Sequence, residues 1–213
     1  MLELGAKLLL SYLLGALLGS LLVGRLRGGV DIREMGSGNA GGTNALRTQG
    51  VLFALGVVII DVGKGWVATR WLPLATIPGV PSDPALDREW LTAGCALAVV
   101  IGHIYPVWFD FRGGKGGATI MGATLGIEPT LILPALAVWL IVAMLTGFVG
   151  LSTICAAAAL AVAAALLLEP PSAAFTVLYA ATTALIVYAH RDNVRRMLAG
   201  TESRARRLWL FGR

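Results

Sequence analysis

The sequence predicts an all-α integral membrane protein with about seven transmembrane helices, and two observations carry this prediction. Hydrophobic residues make up 57% of the 213 residues and charged residues only 14%, and the mean hydropathy of +0.78 lies well above the usual range of soluble domains. Apolar runs of roughly 20 residues, the length of a helix that crosses a hydrocarbon core of ~30 Å, recur between short polar segments. Few of those segments are long enough to fold separately, so we expect a single domain over residues 1–213.

The predicted spans follow the apolar runs in chain order. The first run starts after Met1-Leu2-Glu3, which has no basic start and no small-residue cleavage site, so we interpret it as a retained span rather than a signal peptide. The fourth run is short and ends at Glu128-Pro129. It makes seven spans if it crosses the membrane, and six spans, or a re-entrant loop, if it does not. The runs cover residues 4–23, 51–71, 90–109, 118–127, 130–149, 152–168 and 172–189.

The basic residues predict an orientation for these spans. With seven alternating spans, thirteen Lys and Arg residues lie on one side of the membrane and three on the other, while Lys64 lies within a span. Cytoplasmic loops carry the excess of basic residues. We therefore predict an N-terminus outside and a C-terminus in the cytoplasm. A count of six spans would place the last polar segment on the opposite side of the membrane from the first two, so we favour seven spans.

Three polar segments interrupt the apolar chain and are the candidate functional sites. The first motif covers residues 36–47 (GSGNAGGTNALR), the second covers residues 113–119 (GGKGGAT), and the third covers residues 190–196 (HRDNVRR). Glycine lets backbone N–H groups turn toward a ligand and form a concave anion site, and neighbouring Lys and Arg supply the opposite charge. The predicted orientation places all three motifs on the cytoplasmic face, where we expect them to bind phosphate groups.

The same residues also resemble a known family. The first region reads Asp31-x-Arg33-x-x-Gly36-Ser37-Gly38-Asn39-x-Gly41-x-Thr43-Asn44-x-x-Arg47. The second reads Gly102-His103-x-x-Pro106 and then Phe111-x-Gly113-Gly114-Lys115-Gly116-x-Ala118-Thr119, and the third reads His190-x-x-Asn193-x-x-Arg196 and then Gly200-x-Glu202. Together with Asp61-x-x-Lys64-Gly65, they resemble the bacterial acyl-phosphate:glycerol-3-phosphate acyltransferases of the PlsY type. One departure is Thr146-Gly147-Phe148, where that family commonly has Thr-Arg-Tyr followed closely by Ser.

The resemblance implies a multi-pass enzyme of the bacterial cytoplasmic (inner) membrane. Such an enzyme transfers a fatty acyl group from acyl phosphate to the 1-hydroxyl of sn-glycerol 3-phosphate, giving lysophosphatidic acid and phosphate. Its partners would be these two substrates and the lipid bilayer, with no nucleic acid, and we expect a monomer. Acyl phosphate is an activated mixed anhydride, so positioning and charge neutralisation can carry the reaction without a metal or cofactor. Two His and two Cys also leave little material for a metal cluster.

The candidate site residues fall into two groups. We expect Ser37, His190 and Asn193 to take part in catalysis. His190 and Asn193 lie three residues apart, which predicts one shared helix face; His190 either accepts the proton of the acceptor hydroxyl or only binds phosphate while the leaving phosphate takes that proton. The candidate phosphate ligands are backbone N–H groups, amides, hydroxyls and cations of the first two motifs: Gly36, Gly38, Asn39, Thr43, Asn44, Arg47, Gly113, Gly114, Lys115 and Gly116.

A further set of residues is expected to support the site. Asp61 and Lys64 lie within a span, where ionisable groups are costly and usually paired; they either form an ion pair that supports the site or contact the substrate. His103 has either a structural, hydrogen-bonded role or a catalytic one. Arg196 and Glu202 are expected to support the third motif. The basic residues of the tail are expected to bind lipid headgroups: Arg204, Arg206, Arg207 and Arg213.

Two other function classes compete with the acyltransferase. A transporter or channel for a small phosphorylated solute would suit the intramembrane pair of Asp61 and Lys64 and the glycine-rich turns. Against it, neither half of the chain repeats the other, and the polar motifs crowd one face. A catalytically inactive binding protein is the third reading, indicated only by the departure at Gly147.

Overall fold

The computed structural model describes residues 1–212, and within them every regular element is helical. The chain divides into two compact units, one from Met1 to Ile127 and one that begins at Glu128. The first unit contains α1 (Leu2–Gly15), α2 (Gly19–Leu26), α3 (Gly42–Gln49), α4 (Val51–Arg70), α5 (Arg88–Ile104) and α6 (Gly117–Ile127). The second contains α7 (Ile132–Thr146), α8 (Val149–Leu167), α9 (Ala173–Ala189) and α10 (Arg191–Leu198).

The helices confirm the prediction of an all-α membrane protein and refine the number of spans. Over the described residues, four stretches are long and apolar enough to cross a membrane: Val51–Leu74, Arg88–Phe109, Pro129–Thr146 and Val149–Leu167. Two bent helix pairs, α1 with α2 and α9 with α10, raise the number to six. The predicted seventh span corresponds to α6, whose eleven residues extend about 16 Å at a rise of 1.5 Å per residue. Because that is about half of the hydrocarbon core, the crossing of α6 stays a prediction.

The first predicted span, residues 4–23, is wrong as a single helix. The chain bends by 47° between α1 and α2, and the cause lies on α4. The Nζ atom of Lys64 donates to the carbonyl oxygens of Gly15 and Leu17, both at 2.9 Å, and the N–H of Gly19 donates to Asp61 Oδ1 at 3.2 Å. Side chains of α4 therefore satisfy the backbone groups that the break leaves without helical partners, which is how a broken helix is tolerated within a membrane.

Glycines bring the helices of the first unit into close contact. A Cβ atom at Gly65 would overlap the carbonyl of Thr119, and one at Gly122 would overlap the carbonyl of Val62, so α4 and α6 pack backbone to backbone. Gly15 has the same relation to Val99, which joins α1 to α5. Close approach through small residues is typical of membrane helices, which pack by van der Waals contact rather than by a hydrophobic difference from lipid.

Three further boundaries differ from the predictions. Part of the first motif forms a helix, α3, rather than an entirely glycine-rich loop. Helix α8 begins at Val149 and not at residue 152, because Gly147 adopts a left-handed conformation (φ 73°) that ends α7 and leaves Phe148 alone between the two helices. His190 and Asn193 do not lie within one continuous helix: the chain bends by 54° between α9 and α10, and His190 lies at this break as the C-cap of α9 and the N-cap of α10.

Candidate active site

Asn44 organises the first motif from within. Its side chain is 2% exposed. Its Nδ2 donates to the carbonyls of Ile32, Met35 and Asn39 at 2.8–3.0 Å, and its Oδ1 accepts the N–H of Ser37 at 3.0 Å. A buried amide with this many backbone partners fixes the loop that surrounds it. Ser37 is placed by this network and is itself exposed.

Two side chains contact the segment around the second motif: Arg33, just before the first motif, and Asn39, within it. The guanidinium of Arg33 binds both carboxylate oxygens of Asp31, and its Nη1 donates to the carbonyls of Phe109 and Arg112, each at 3.3 Å. The hydrogen bonds from Arg33 lower the pKa of Asp31, so the carboxylate stays charged beside it. Asn39 adds a long hydrogen bond of 3.4 Å from Nδ2 to the carbonyl of Gly113. The structure therefore brings the first and second motifs together within the first unit.

The second motif lies against the end of α5. The N–H of Gly114 donates to the carbonyl of His103 at 3.0 Å, and that of Gly113 donates to the carbonyl of Ile104 at 3.1 Å. A Cβ at Gly113 would overlap the carbonyl of His103, and one at Gly114 would overlap the His103 ring, so only glycine fits at both positions. Lys115 follows them and is half-buried. Gly116 has φ +85° and lets the chain turn into α6.

A buried polar cluster of Asp61, Lys64 and His103 lies behind this motif. Lys64 Nζ is 2.9 Å from Asp61 Oδ1 and 2.8 Å from His103 Nδ1. The three side chains are 1–3% exposed. An ion pair this deep requires complete pairing, and the carbonyls of Gly15 and Leu17 complete the shell of Lys64. Two roles were predicted for Asp61 and Lys64, and these contacts favour an ion pair that supports the site over one that contacts the substrate.

The third motif belongs to the second unit and is held by the tail. His190 is 5% exposed, and its Nδ1 is 2.8 Å from the carbonyl of Ile186. Glu202 reaches back to α10, where it accepts from Asn193 Nδ2 at 2.7 Å and from Arg196 Nε at 2.6 Å. Gly150 on α8 lies against the Asn193 side chain. Glu202 thus contacts both Asn193 and Arg196.

The remaining predicted ligands of the first motif are open to solvent. Gly36, Gly38, Thr43 and Arg47 are exposed, and Asn39 is half-buried. Gly36 and Gly38 both have positive φ, at 58° and 70°, a conformation that favours glycine. Among residues 1–212, no group of three or more His, Cys, Asp and Glu side chains could hold a metal ion.

Two features of the site were not predicted from the sequence. The hydrogen bonds from Arg33 to the segment just before the second motif depend on carbonyls 76 and 79 residues away, for which no local pattern exists. In the tail, the guanidinium of Arg204 lies 4.5 Å from the ring centre of Phe148 and 4.1 Å from that of Trp209, and its Nη1 donates to the carbonyl of Thr146. Arg204 therefore binds the turn between α7 and α8 as well as being charged, while Arg213 lies outside the described residues.

The chain is similar to glycerol-3-phosphate acyltransferases over almost its whole length. The family model described as glycerol-3-phosphate acyltransferase matches residues 6–200. A glycerol-3-phosphate acyltransferase from Laribacter hongkongensis is 42% identical over 199 residues, which cover 93% of this chain and 94% of the relative. The one from Bordetella pertussis is 37% identical over 203 residues, covering 93% and 90%.

Two crystal structures share the fold. Both are of PlsY (YgiH), described as an integral membrane glycerol 3-phosphate acyltransferase, one in the glycerol 3-phosphate form and one in the lysophosphatidic acid form. Their TM-scores to this chain are 0.78 and 0.77, at 30% sequence identity and with 94% of each chain covered. These similarities support an enzyme and not the transporter or the inactive binding protein.

Proposed function

The chain belongs to the glycerol-3-phosphate acyltransferase family, and from this premise we propose acyl phosphate as its donor and assign roles to its motifs. The protein is a multi-pass membrane enzyme that acylates glycerol 3-phosphate in phospholipid synthesis. The observation that carries its substrate and product is the match to one relative in both a glycerol 3-phosphate form and a lysophosphatidic acid form. The donor is inferred from the resemblance of the motifs to the PlsY type and is supported by the many groups in these motifs that can bind phosphate.

The proposed reaction balances without a covalent enzyme intermediate. The 1-hydroxyl oxygen of glycerol 3-phosphate attacks the acyl carbonyl carbon and forms the new ester bond. The bond between that carbon and the bridging phosphate oxygen breaks, and inorganic phosphate leaves. The hydroxyl proton passes to His190 or to the departing phosphate. The enzyme accelerates this step by holding two anions close together and stabilising the oxyanion that develops on the acyl carbonyl.

In the first unit, we assign phosphate binding to the first two motifs. Arg47 is exposed on α3 and Lys115 follows the glycine pair of the second motif, so each can bring a positive charge to a phosphate. The exposed backbone of Gly36, the Ser37 hydroxyl and Thr43 provide hydrogen-bond donors in the same motif as Arg47, whereas the N–H of Gly38 donates to the carbonyl of Met35 at 3.0 Å. Asn44 acts through the loop that it organises, because its amide is already bound to four backbone groups.

In the second unit, we assign proton transfer to His190. A backbone carbonyl can only accept a hydrogen bond, so the nitrogen 2.8 Å from the Ile186 oxygen, Nδ1, carries a proton. In the neutral ring Nε2 is then the basic nitrogen, which favours a general base over a phosphate ligand. Asn193 has an equally defined direction, because Nδ2 faces Glu202 and Oδ1 is therefore the acceptor end of its amide.

The test is an assay of the purified protein in detergent with radiolabelled glycerol 3-phosphate. We expect lysophosphatidic acid from palmitoyl phosphate and none from palmitoyl-CoA. The Lys115→Ala variant is the control for background transfer. Product from palmitoyl-CoA alone would refute the donor assignment, and no product from either donor would refute the activity.

The surroundings of the enzyme are also part of the proposal. We propose a bacterial inner-membrane enzyme with an external N-terminus, because a count of seven alternating spans puts thirteen of the Lys and Arg residues on one predicted side and three on the other. We propose that it acts as a monomer and without a cofactor. Native mass spectrometry of the detergent-solubilised protein measures both the mass of the assembly and any bound cofactor.

A further inference from the structure

His103 has two ring nitrogens with different surroundings. The residue is 2% exposed and lies near the end of α5. Nδ1 is 2.8 Å from Lys64 Nζ and 3.5 Å from Asp61 Oδ1. The shorter distance is that of a normal hydrogen bond, whereas the longer one is at the limit of any useful interaction. The bond to Lys64 therefore decides the state of Nδ1.

The surroundings of Lys64 make it the donor in that bond. Its Nζ is within 2.9 Å of the carboxylate of Asp61 and of two backbone carbonyls, which accept hydrogen bonds and stabilise an ammonium. An ammonium has no lone pair, and its three N–H donors are shared among these three oxygens and Nδ1, so Nδ1 can only be an acceptor. The proton of the neutral His103 ring is therefore on Nε2. A second proton on Nδ1 would oppose the Lys64 charge at 2.8 Å.

The Nε2 edge of the ring faces the second motif. A Cβ atom at Gly114 would overlap Nε2 as well as Cε1 of His103, so this edge lies directly against the backbone one residue before Lys115. The contacts of the His103 ring with Lys64 and Asp61 both involve Nδ1. Gly114 has no side chain at this edge, so Nε2 lies beside the backbone of the second motif.

From this geometry we propose that the Nε2–H of His103 is a substrate ligand, which donates a hydrogen bond to a phosphate oxygen bound at the second motif. The proposal rests on the proposed function, because it deepens the phosphate site assigned to the second motif and its Lys115. The phosphate belongs either to glycerol 3-phosphate or to the acyl donor. Lys64 and Asp61 are then positioning residues, since they fix the tautomer of His103 and touch no substrate themselves.

The first test is spectroscopic and uses the native protein. The chain has only two histidines, so ¹⁵N-histidine labelling gives two rings, and the spectrum of His190→Gln assigns them. We expect His103 to be neutral with its proton on Nε2 from pH 6 to pH 8, and titration with glycerol 3-phosphate or inorganic phosphate to move its Nε2–H resonance downfield. A proton on Nδ1, or a resonance that neither anion moves, would overturn the proposal.

The second test is kinetic. His103→Phe keeps a ring but has no donor, and we expect it to lower kcat/KM about 100-fold, as for loss of one preorganised donor; His103→Gln keeps an N–H donor and should retain part of the activity. A rise in KM for one substrate identifies whose phosphate is bound. A folded His103→Phe variant with kcat/KM within threefold of the wild type would refute the role. If the wild type itself makes no product, the proposed function fails, while the titration still tests His103.

Discussion

Replacing Lys64 with Met tests how much the buried cluster contributes to stability. Met is similar in length but has no charge and no donor, so Asp61 would remain as an unpaired carboxylate that is 1% exposed. The carbonyls of Gly15 and Leu17 and the Nδ1 of His103 would lose their donor as well. The helix break between α1 and α2 depends on those contacts. We therefore expect the variant to fold less stably and not only to lose activity.

The expected magnitude follows from the burial of the pair. Removing one partner of a buried ion pair costs about 3–5 kcal/mol, because the other charge stays behind without compensation. For a protein of this size, 1 kcal/mol shifts Tm by about 2–4 °C. The two ranges together predict that Lys64→Met lowers Tm by roughly 6–20 °C.

The assay is thermal unfolding of the purified variants in one detergent, followed by circular dichroism. Arg70→Ala is the matched control, because Arg70 is an exposed cation at the end of the same helix; we expect it to stay within about 0.5 kcal/mol of the wild type. The double variant Asp61→Asn with Lys64→Met removes both charges and should recover part of the loss. A Lys64→Met protein with the same Tm as Arg70→Ala would refute the role of the cluster.

Four other expectations concern activity and topology. Lys115→Ala should lower kcat/KM by about two to three decades, since an unpaired phosphate typically costs ~2–5 kcal/mol. Lys115→Arg should recover only part of this activity, because the planar guanidinium differs in shape from an ammonium. Equal activity of the wild type and both variants in steady-state assays would contradict this. His190→Ala should lower kcat more than it raises KM if His190 is the base, whereas a loss confined to KM would make it a phosphate ligand. Activity should survive EDTA, and a loss that Mg²⁺ or Zn²⁺ reverses would reveal a metal-dependent step. The topology can be tested in a background without Cys95 and Cys155, with an impermeant thiol reagent applied to intact cells. The reagent should label a cysteine at the exposed Ser82 and should not label one at three exposed positions of the predicted cytoplasmic side: Leu46, Arg112 and Thr201. Labelling at any of these three positions would overturn the predicted orientation.

The sequence by itself determined the fold class, the family and the residues to examine. These properties depend on local information. Apolar runs of about 20 residues predict membrane helices because the bilayer sets their length, and motifs in a fixed order carry the resemblance at positions such as Arg47, Lys115 and His190. The boundaries of α4 and α9 agree with prediction to within a few residues for the same reason.

Other properties were decided only by the tertiary structure. The first span breaks because Asp61 and Lys64, more than 40 residues away, satisfy the backbone of residues 15–19. His190 lies at the bend between α9 and α10, whereas Asn193 lies within α10. The hydrophobic pattern of the sequence does not predict either break in the helices.

The roles of individual side chains depend on the same distant contacts. Asn44 is a plausible phosphate ligand by residue type, yet the structure binds its amide within the loop. His103 could be a base or a donor until Lys64 approaches its Nδ1 and assigns the proton to Nε2. The sequence thus determined which chemical groups this protein contains. Only the tertiary structure decided which of their atoms face a partner in the protein and which face a ligand. The reason is that a hydrogen bond requires a distance of about 3 Å, and the atoms that meet at this distance are far apart along the chain.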